Sequence, residues 1–436
     1  MRPLKGGGWE LAVHIADVSH YVRPGTELDR EATVRGNSTY LVDRVIPMLP
    51  ERLSNGICSL KPGVDRLTKL AVIEFNPHAE PVKARFAAAV IRSAARFSYE
   101  EAFAIMMREG APDGAVEQML RDAWDLASKL RRNRFAQGAL DLDFAEIKVV
   151  LDARGKPTEL RPVPYDESHQ LIEEFMLAAN EAVAAATKRA DMPAIYRVHE
   201  DPDAEKLAEF RALAHQYGFK VGDLSNRDEI QRLLKMVRGT PEEHVIKIGL
   251  LKSLKRAAYH PDPTGHYGLA KANYTHFTSP IRRYADLVVH RVLGNLMAKR
   301  GNPGFETAPT PKYAKMGEIA AHISDTERIS AEAENQSKQM KILEFFAGLL
   351  REPKPPKFLA VVTDIRRIGI FIELADTQVR GLIRADELPP GRYRHDPARN
   401  ALVGPRQKDI IHVGSEIGVR PAKVDFVNQR IDFRLA

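Results

Sequence analysis

Between Tyr274 and Arg291 the chain reads YTHFTSPIRRYADLVVHR, and these are residue types that grip phosphates. Ser279 suits a helix N-cap, and Pro280 fits the first helical position, where a missing N–H costs nothing. The spacing predicts a helix opening at Ser279–Pro280 with Arg282 and Arg283 in its first turn. Free N–H donors and the positive end of the helix dipole would meet an anion there, and cations at that end gain nothing from the dipole themselves. The alternative is an ordinary surface helix whose arginines pair with Asp286 or with acids elsewhere.

Other reactive side chains offer less. His14, Asp17 and His20 have a spacing that invites a metal, but a strand turns successive side chains to opposite faces, so a polar turn is preferred. Asp141 and Asp143, in GALDLDF, would share one strand face. Glu173 and Glu174 sit among Leu171, Ile172, Phe175 and Met176, so at least one must meet solvent or a basic partner. His276 reads as a hydrogen-bonded strand-end residue.

These groups need a sizeable scaffold, and 436 residues supply one, enough for two domains or one large domain with an appendage. Cys58 is the only cysteine, which excludes an internal disulfide and a thiolate zinc cluster. Without a run of about 18 apolar residues or a signal-peptide pattern, a cytoplasmic protein with no membrane association and no obligate protein partner is expected. The net charge of +7 hints at a polyanionic partner.

Alternating apolar residues predict strands at 9–17, 70–75 and 85–91; three- and four-residue spacing predicts helices at 99–107, 116–135, 171–187 and 313–350. A proline-rich stretch, 351–357, reads as a linker. Beyond it, short segments such as FLAVVTDI, GIFIEL and QRIDFRL predict a small barrel.

The run VHIADVSHYVRPGTELDREATVRGNSTYLVDRVIPMLPERLSNGICSL, then GALDLDF, SHQLIEEFMLAANEAVA, YRVHEDPD, GHYGLA and YTHFTSPIRRYADLVVHR, closely resembles the catalytic domain of the ribonuclease II/R (RNB-domain) exoribonucleases over residues 9–345. The tail resembles the S1-type OB fold that follows it in that family. The resemblance implies an α+β fold: an RNB-type domain over 1–352, a linker at 353–357 and an all-β OB-fold barrel over 358–436. It implies 3′-to-5′ hydrolysis of single-stranded RNA to nucleoside 5′-monophosphates with Mg2+, or, as the alternative, RNA binding without catalysis.

By the same resemblance Arg282 matches the arginine on the scissile phosphate, Tyr40 an aromatic that stacks on bases, and Glu334 a glutamate beside the active site, although Glu334-Asn335 stands where Glu-Arg is expected. A solvated helix face is the other reading for Glu332 and Glu334, and a core tyrosine the other for Tyr40. Arg283 either contacts RNA or is structural. In the barrel, Phe371 is the expected stacking platform with Arg366 beside it; the alternative puts Phe371 in the core. The family's metal-holding, DFDDA-like stretch precedes the strand that reads WELAVHIAD here. This chain opens on Met1-Arg-Pro-Leu-Lys-Gly-Gly-Gly8, so no metal ligand is assigned and the first sheet is expected to have an unpaired edge.

Overall fold

Leu11, Val13 and Ile15 alternate with smaller or polar neighbours, and the strand they predict spans Gly8–Ala16. The computed structural model describes residues 1–436 except 143, 145, 241, 306, 310, 389–392, 397–400 and 405–409. It places that strand in a four-stranded antiparallel sheet in the order β1 (Arg2–Leu4), β2 (Gly8–Ala16), β3 (Asp65–Phe75), β4 (Pro81–Arg92). β1 covers only Gly8–Glu10, whereas β2 and β3 pair from Trp9↔Phe75 to Ala16↔Thr68. Among the described residues, Leu11–Ala16 therefore have a strand partner on one side alone.

The helices expected at 99–107, 116–135, 171–187 and 313–350 form with ends shifted by no more than four residues. A capping box joins Ser98 and Glu101 at the start of Tyr99–Met107. The others are α1 (Ala115–Ala136), α2 (Glu167–Arg189, N-capped by Asp166), α3 (Tyr284–Lys299) and α4 (Tyr313–Leu349). Ala71 and Phe86 of the sheet pack with Ala179 and Val183 of α2 and Val289 and Leu293 of α3. Burying this apolar face fixes both helices, because each completely buried large side chain contributes about 1.5–3 kcal/mol. No helix among the described residues is long and apolar enough to cross a membrane.

At 37 residues, α4 spans roughly 55 Å. Its first half buries Met316, Ile319 and Ile323 with Val18, Val22 and Leu287, and its second half buries Ile342, Leu343 and Phe346 in the core of a closed barrel. That barrel comprises β5 (Phe358–Arg366), β6 (Gly369–Leu374), β7 (Arg380–Arg384), β8 (Glu416–Asp425) and β9 (Arg430–Leu435). Ile147, Val149 and Leu160, from a hairpin formed by Glu146–Leu151 and Pro157–Val163, join the same core. One helix thus carries apolar side chains into both the sheet-and-helix body and the barrel.

Candidate nucleic-acid interface

The expected helix at Ser279–Pro280 starts later, at Tyr284. Residues 279–283 instead form a turn, in which Ser279 O accepts from Arg282 N at 3.2 Å and from Arg283 N at 3.1 Å. Two contacts hold the turn out of the helix. Asp286, 0% exposed, accepts from Ser279 N at 2.6 Å and from Arg283 Nε and Nη2 at 2.7 and 2.9 Å. Arg283 is also extended, with φ −135° and ψ 126°, and bridges to Asn37. Ser279 therefore does not cap the helix by its side chain, and the anion site expected at that helix N-terminus is not formed.

What the turn presents is Arg282. Its side chain is exposed and has no hydrogen-bond or ion-pair partner among the described residues. Its backbone carbonyl accepts from Ser38 N at 3.0 Å, while Gly36 O accepts from Tyr284 N at 2.8 Å. Arg282 borders a cleft of about 180 Å³ with Asn37, Tyr259 and Glu327. Burial works against the charge of Arg283, but Asp286 more than compensates and raises its pKa. The Nε–Nη2 edge of its fork is occupied by that carboxylate, although the residue borders the same cleft as Arg282.

Tyr40 lies on the same segment that supports Arg282. It is 46% exposed and outside the core, which removes the core-tyrosine reading. One face of α4 holds the segment by polar contacts. His322 Nε2 meets Thr33 O at 2.8 Å, Ser330 Oγ meets Thr39 Oγ1 at 2.8 Å, Glu334 Oε1 accepts from Tyr40 N at 2.6 Å, and Ser337 Oγ accepts from Val42 N at 3.2 Å. Steps of three, four and eight residues repeat one helix face. Glu332 takes the solvated position and accepts from Gln336, whereas Glu334 turns to the Tyr40 loop. This stripe of polar residues was visible in the sequence; its partner was not.

Gly36 packs where the segment crosses α4. Its φ is +68°, and a Cβ there would lie 2.0 Å from Thr326 Oγ1. Left-handed strain and overpacking together predict that Gly36→Ala destabilises the protein by about 2 kcal/mol. Urea denaturation tests this, and Thr326→Ala in the same chain should recover part of the loss by making room.

YRVHEDPD and THF meet behind this cleft. Glu327 of α4 accepts from Arg197 Nη1 at 2.5 Å, the Arg197 guanidinium lies 4.8 Å from the Tyr259 ring centroid, and Tyr259 Oη is 2.8 Å from His276 Nδ1. Burial, then Arg283 and Arg197, hold His276 well below the usual histidine range. It is a neutral hydrogen-bonding residue, although no strand ends at it.

The acids nearby are committed elsewhere. Asp286 serves Arg283, Glu327 serves Arg197 and Glu334 serves Tyr40 N. Asp17 follows the end of β2, caps the short helix Val18–Tyr21, accepts from Ser19 Oγ at 2.6 Å and lies 3.4 Å from Lys69 Nζ. Asp141 is outside any strand and pairs with Arg238, correcting the shared strand face; Asp143 lies outside the described residues. Among the described residues, no three His, Cys, Asp or Glu side chains converge as a metal-ligand set. The residues around Arg282 thus do not fit the magnesium site that the resemblance implies.

Lys69 leads from Asp17 into the core, donating to Ser19 Oγ at 2.5 Å and His290 O at 2.9 Å. His290, 0% exposed, stacks on Phe277 and directs Nε2 to Phe277 O at 2.8 Å. A carbonyl only accepts, so Nε2 carries the proton. Burial, then Lys69, push the ring's pKa down from 6.5 to about 4, with Asp17 opposing. The folded protein refuses a proton that the unfolded chain binds between those values. This contribution is intact above pH 6.5 and is lost as pH falls toward 4, reaching about 2 kcal/mol at pH 5. His290→Gln should have a flatter stability profile between pH 7 and 5; parallel profiles would show an ordinarily titrating ring.

In the barrel, Phe371 is only partly buried, and the Arg366 guanidinium lies 5.4 Å from its ring centroid while Arg366 Nε donates to Asp364 at 2.7 Å. Both residues border a cleft of about 700 Å³ between the barrel and the helices Ala204–Gln216 and Glu243–Ser253. Across it, His244 Nε2 lies 3.0 Å from Glu373 and 2.7 Å from Arg380. Phe371 is therefore available as a stacking face, apart from the barrel core.

Comparison with known proteins identifies the family and the fold. A family model described as the RNB domain matches residues 1–299. Ribonuclease R of Thermotoga maritima is 39% identical over 441 residues, which cover 99% of this chain and 61% of that protein. Ribonuclease R 1 of Lactococcus lactis is 37% identical over 440 residues, covering 99% of this chain and 52% of that protein. The chain thus spans between half and two thirds of their length. The structure of Mycoplasma genitalium RNase R in complex with ribose methylated single-stranded RNA matches with a TM-score of 0.85 and 26% identity, over 100% of this chain and 68% of that one.

Proposed function

The chain belongs to the RNB-domain family, and we propose on that premise that it grips single-stranded RNA for 3′-to-5′ exoribonucleolytic decay. The observation that carries this is Arg282: an exposed guanidinium without a partner among the described residues, on a turn fixed by Asp286 and by the segment that bears Tyr40. Arg282 contacts a phosphate and Tyr40 stacks on a base, a combination that tolerates any sequence. The barrel acts as an S1-type OB fold, with Phe371 and Arg366 holding the strand further along.

Hydrolysis to nucleoside 5′-monophosphates by a two-magnesium mechanism requires several carboxylates that hold cations about 3.5–4 Å apart. The described residues do not assemble them, and no catalytic step is assigned through the metal. The second reading, RNA binding without hydrolysis, is favoured by the prior engagement of Asp286, Glu327 and Glu334.

Incubation of the folded chain with a 5′-labelled single-stranded RNA, in magnesium and in EDTA, separates the readings. Magnesium-dependent shortening from the 3′ end supports the exoribonuclease. Intact RNA that shifts in a binding assay supports the binder, and no binding by the folded chain rejects both. Tyr40→Ala is expected to weaken binding of poly(A) and poly(U) alike, by about 1–3 kcal/mol. Loss confined to one homopolymer, followed by fluorescence anisotropy, would argue against simple stacking.

A further inference from the structure

Adjacent arginines on a turn invite the reading that both meet the nucleic acid, but their surroundings differ. The Arg283 side chain keeps only 21% of its surface exposed, and Nε and Nη2 both point to Asp286. Both Asp286 oxygens are occupied, Oδ1 by Ser279 N and Arg283 Nη2, Oδ2 by Arg283 Nε. Every partner is a donor, so an asparagine would present its own NH2 to an N–H in either orientation. The carboxylate closes a ring from Ser279 through Arg283 to the first turn of α3, and Arg282 lies inside it.

We infer that Arg283 and Asp286 form a clamp whose function is to position Arg282, so that Arg283 acts on RNA only through its neighbour and touches no phosphate. The inference rests on the reading of Arg282 as a phosphate contact. The clamp works from one side of the turn while the Arg282 carbonyl accepts from Ser38 N on the other, so the backbone of Arg282 is tied on both sides. A lysine cannot reproduce the fork, because its ammonium is a point donor without the planar two-donor geometry.

The test uses anisotropy titrations of a labelled single-stranded RNA in EDTA against the full chain, over a series of salt concentrations, with thermal melts to establish folding. Each phosphate contact on a single strand contributes about 0.7 to the slope of log K against log salt. Arg282→Ala should lower that slope by about 0.7 and weaken binding by about tenfold. Arg283→Gln is expected to match it in both respects, and the double variant should lose nothing more. Arg283→Lys, which retains the charge and is the gentler change for folding, should lose nearly as much affinity as Arg283→Gln.

A second loss of about 0.7 in the double variant would mean that Arg283 holds its own phosphate and would overturn the inference. Unchanged affinity in folded Arg283→Lys and Arg283→Gln would overturn it too, leaving a clamp that supports only the fold. If the wild-type chain binds RNA and Arg282→Ala changes neither affinity nor slope, there is no contact for the clamp to position. That result rejects the phosphate reading of Arg282 as well, whereas the first two leave it standing.

Discussion

Arg282→Ala is expected to slow RNA cleavage by about 10²–10³-fold in a form of the protein that turns RNA over, while weakening RNA affinity only by about tenfold. The asymmetry follows from where the guanidinium stands. A fixed cation gains most against charge that grows as the phosphodiester reacts, and least against the charge already present in bound substrate. Arg282 is held by backbone contacts at Ser279 and Ser38, and its side-chain donors have no partner among the described residues, so little reorganisation is needed when that charge develops. Single-turnover rates with excess protein, set beside dissociation constants measured in EDTA, give the two losses separately. Equal losses would leave Arg282 as a binding residue only.

Much of the scaffold that presents Arg282 was legible in the chain. Ser98 and Glu101 announce the helix Tyr99–Met107, and the apolar spacing of α1, α2 and α4 places them within a few residues of their ends. These features rest on contacts between residues three or four apart, which periodicity records. The start of α3 was not legible for a different reason. Ser279 and Pro280 have the local preferences of a helix start, but Arg283 gains a bidentate partner in Asp286 and a bridge to Asn37 by remaining extended. The second partner comes from a distant part of the chain, and tertiary contacts override local preference.

Glu334 shows the same division. Ser330, Glu334 and Ser337 share a helix face that spacing alone reveals, yet only folding brings Thr39, Tyr40 and Val42 against it. The spacing around Asp17 does not show that Lys69, on the neighbouring strand, stands 3.4 Å away. With Lys69 in place, the aspartate has a cation to neutralise before any metal arrives. The resemblance implies the proposed roles of Tyr40 and Arg282, and the geometry adds how their backbones are held together.

Arg134→Met is expected to destabilise the protein by about 3–5 kcal/mol, because it removes the partner of a buried carboxylate. Glu174 is 3% exposed and accepts from Arg134 Nε and Nη2 at 2.9 and 2.6 Å, while Glu173 accepts from Nη2 at 3.1 Å. Burial already raises the Glu174 pKa, with Arg134 opposing it, so loss of that arginine leaves a buried charge without its hydrogen-bonding partner and with only Arg131, 3.9 Å away, to offset it. Protonation can relieve that charge, and the deficit should shrink as pH falls. The double variant Arg134→Met/Glu174→Met should recover most of the stability, since both charges are then gone and apolar volume replaces them. Denaturant unfolding of the three proteins at pH 7 and 5 measures this, and a single variant as stable as wild type would show that Glu174 reaches water. The consequence extends to the turn at 279–283. Glu174 anchors α2 to α1, and Asn180, on the same helix, accepts from Phe277 N at 2.8 Å and donates to Tyr274 Oη at 2.9 Å. Phe277 is two residues from Ser279, so the buried pair fixes the helix from which the Arg282 turn is hung.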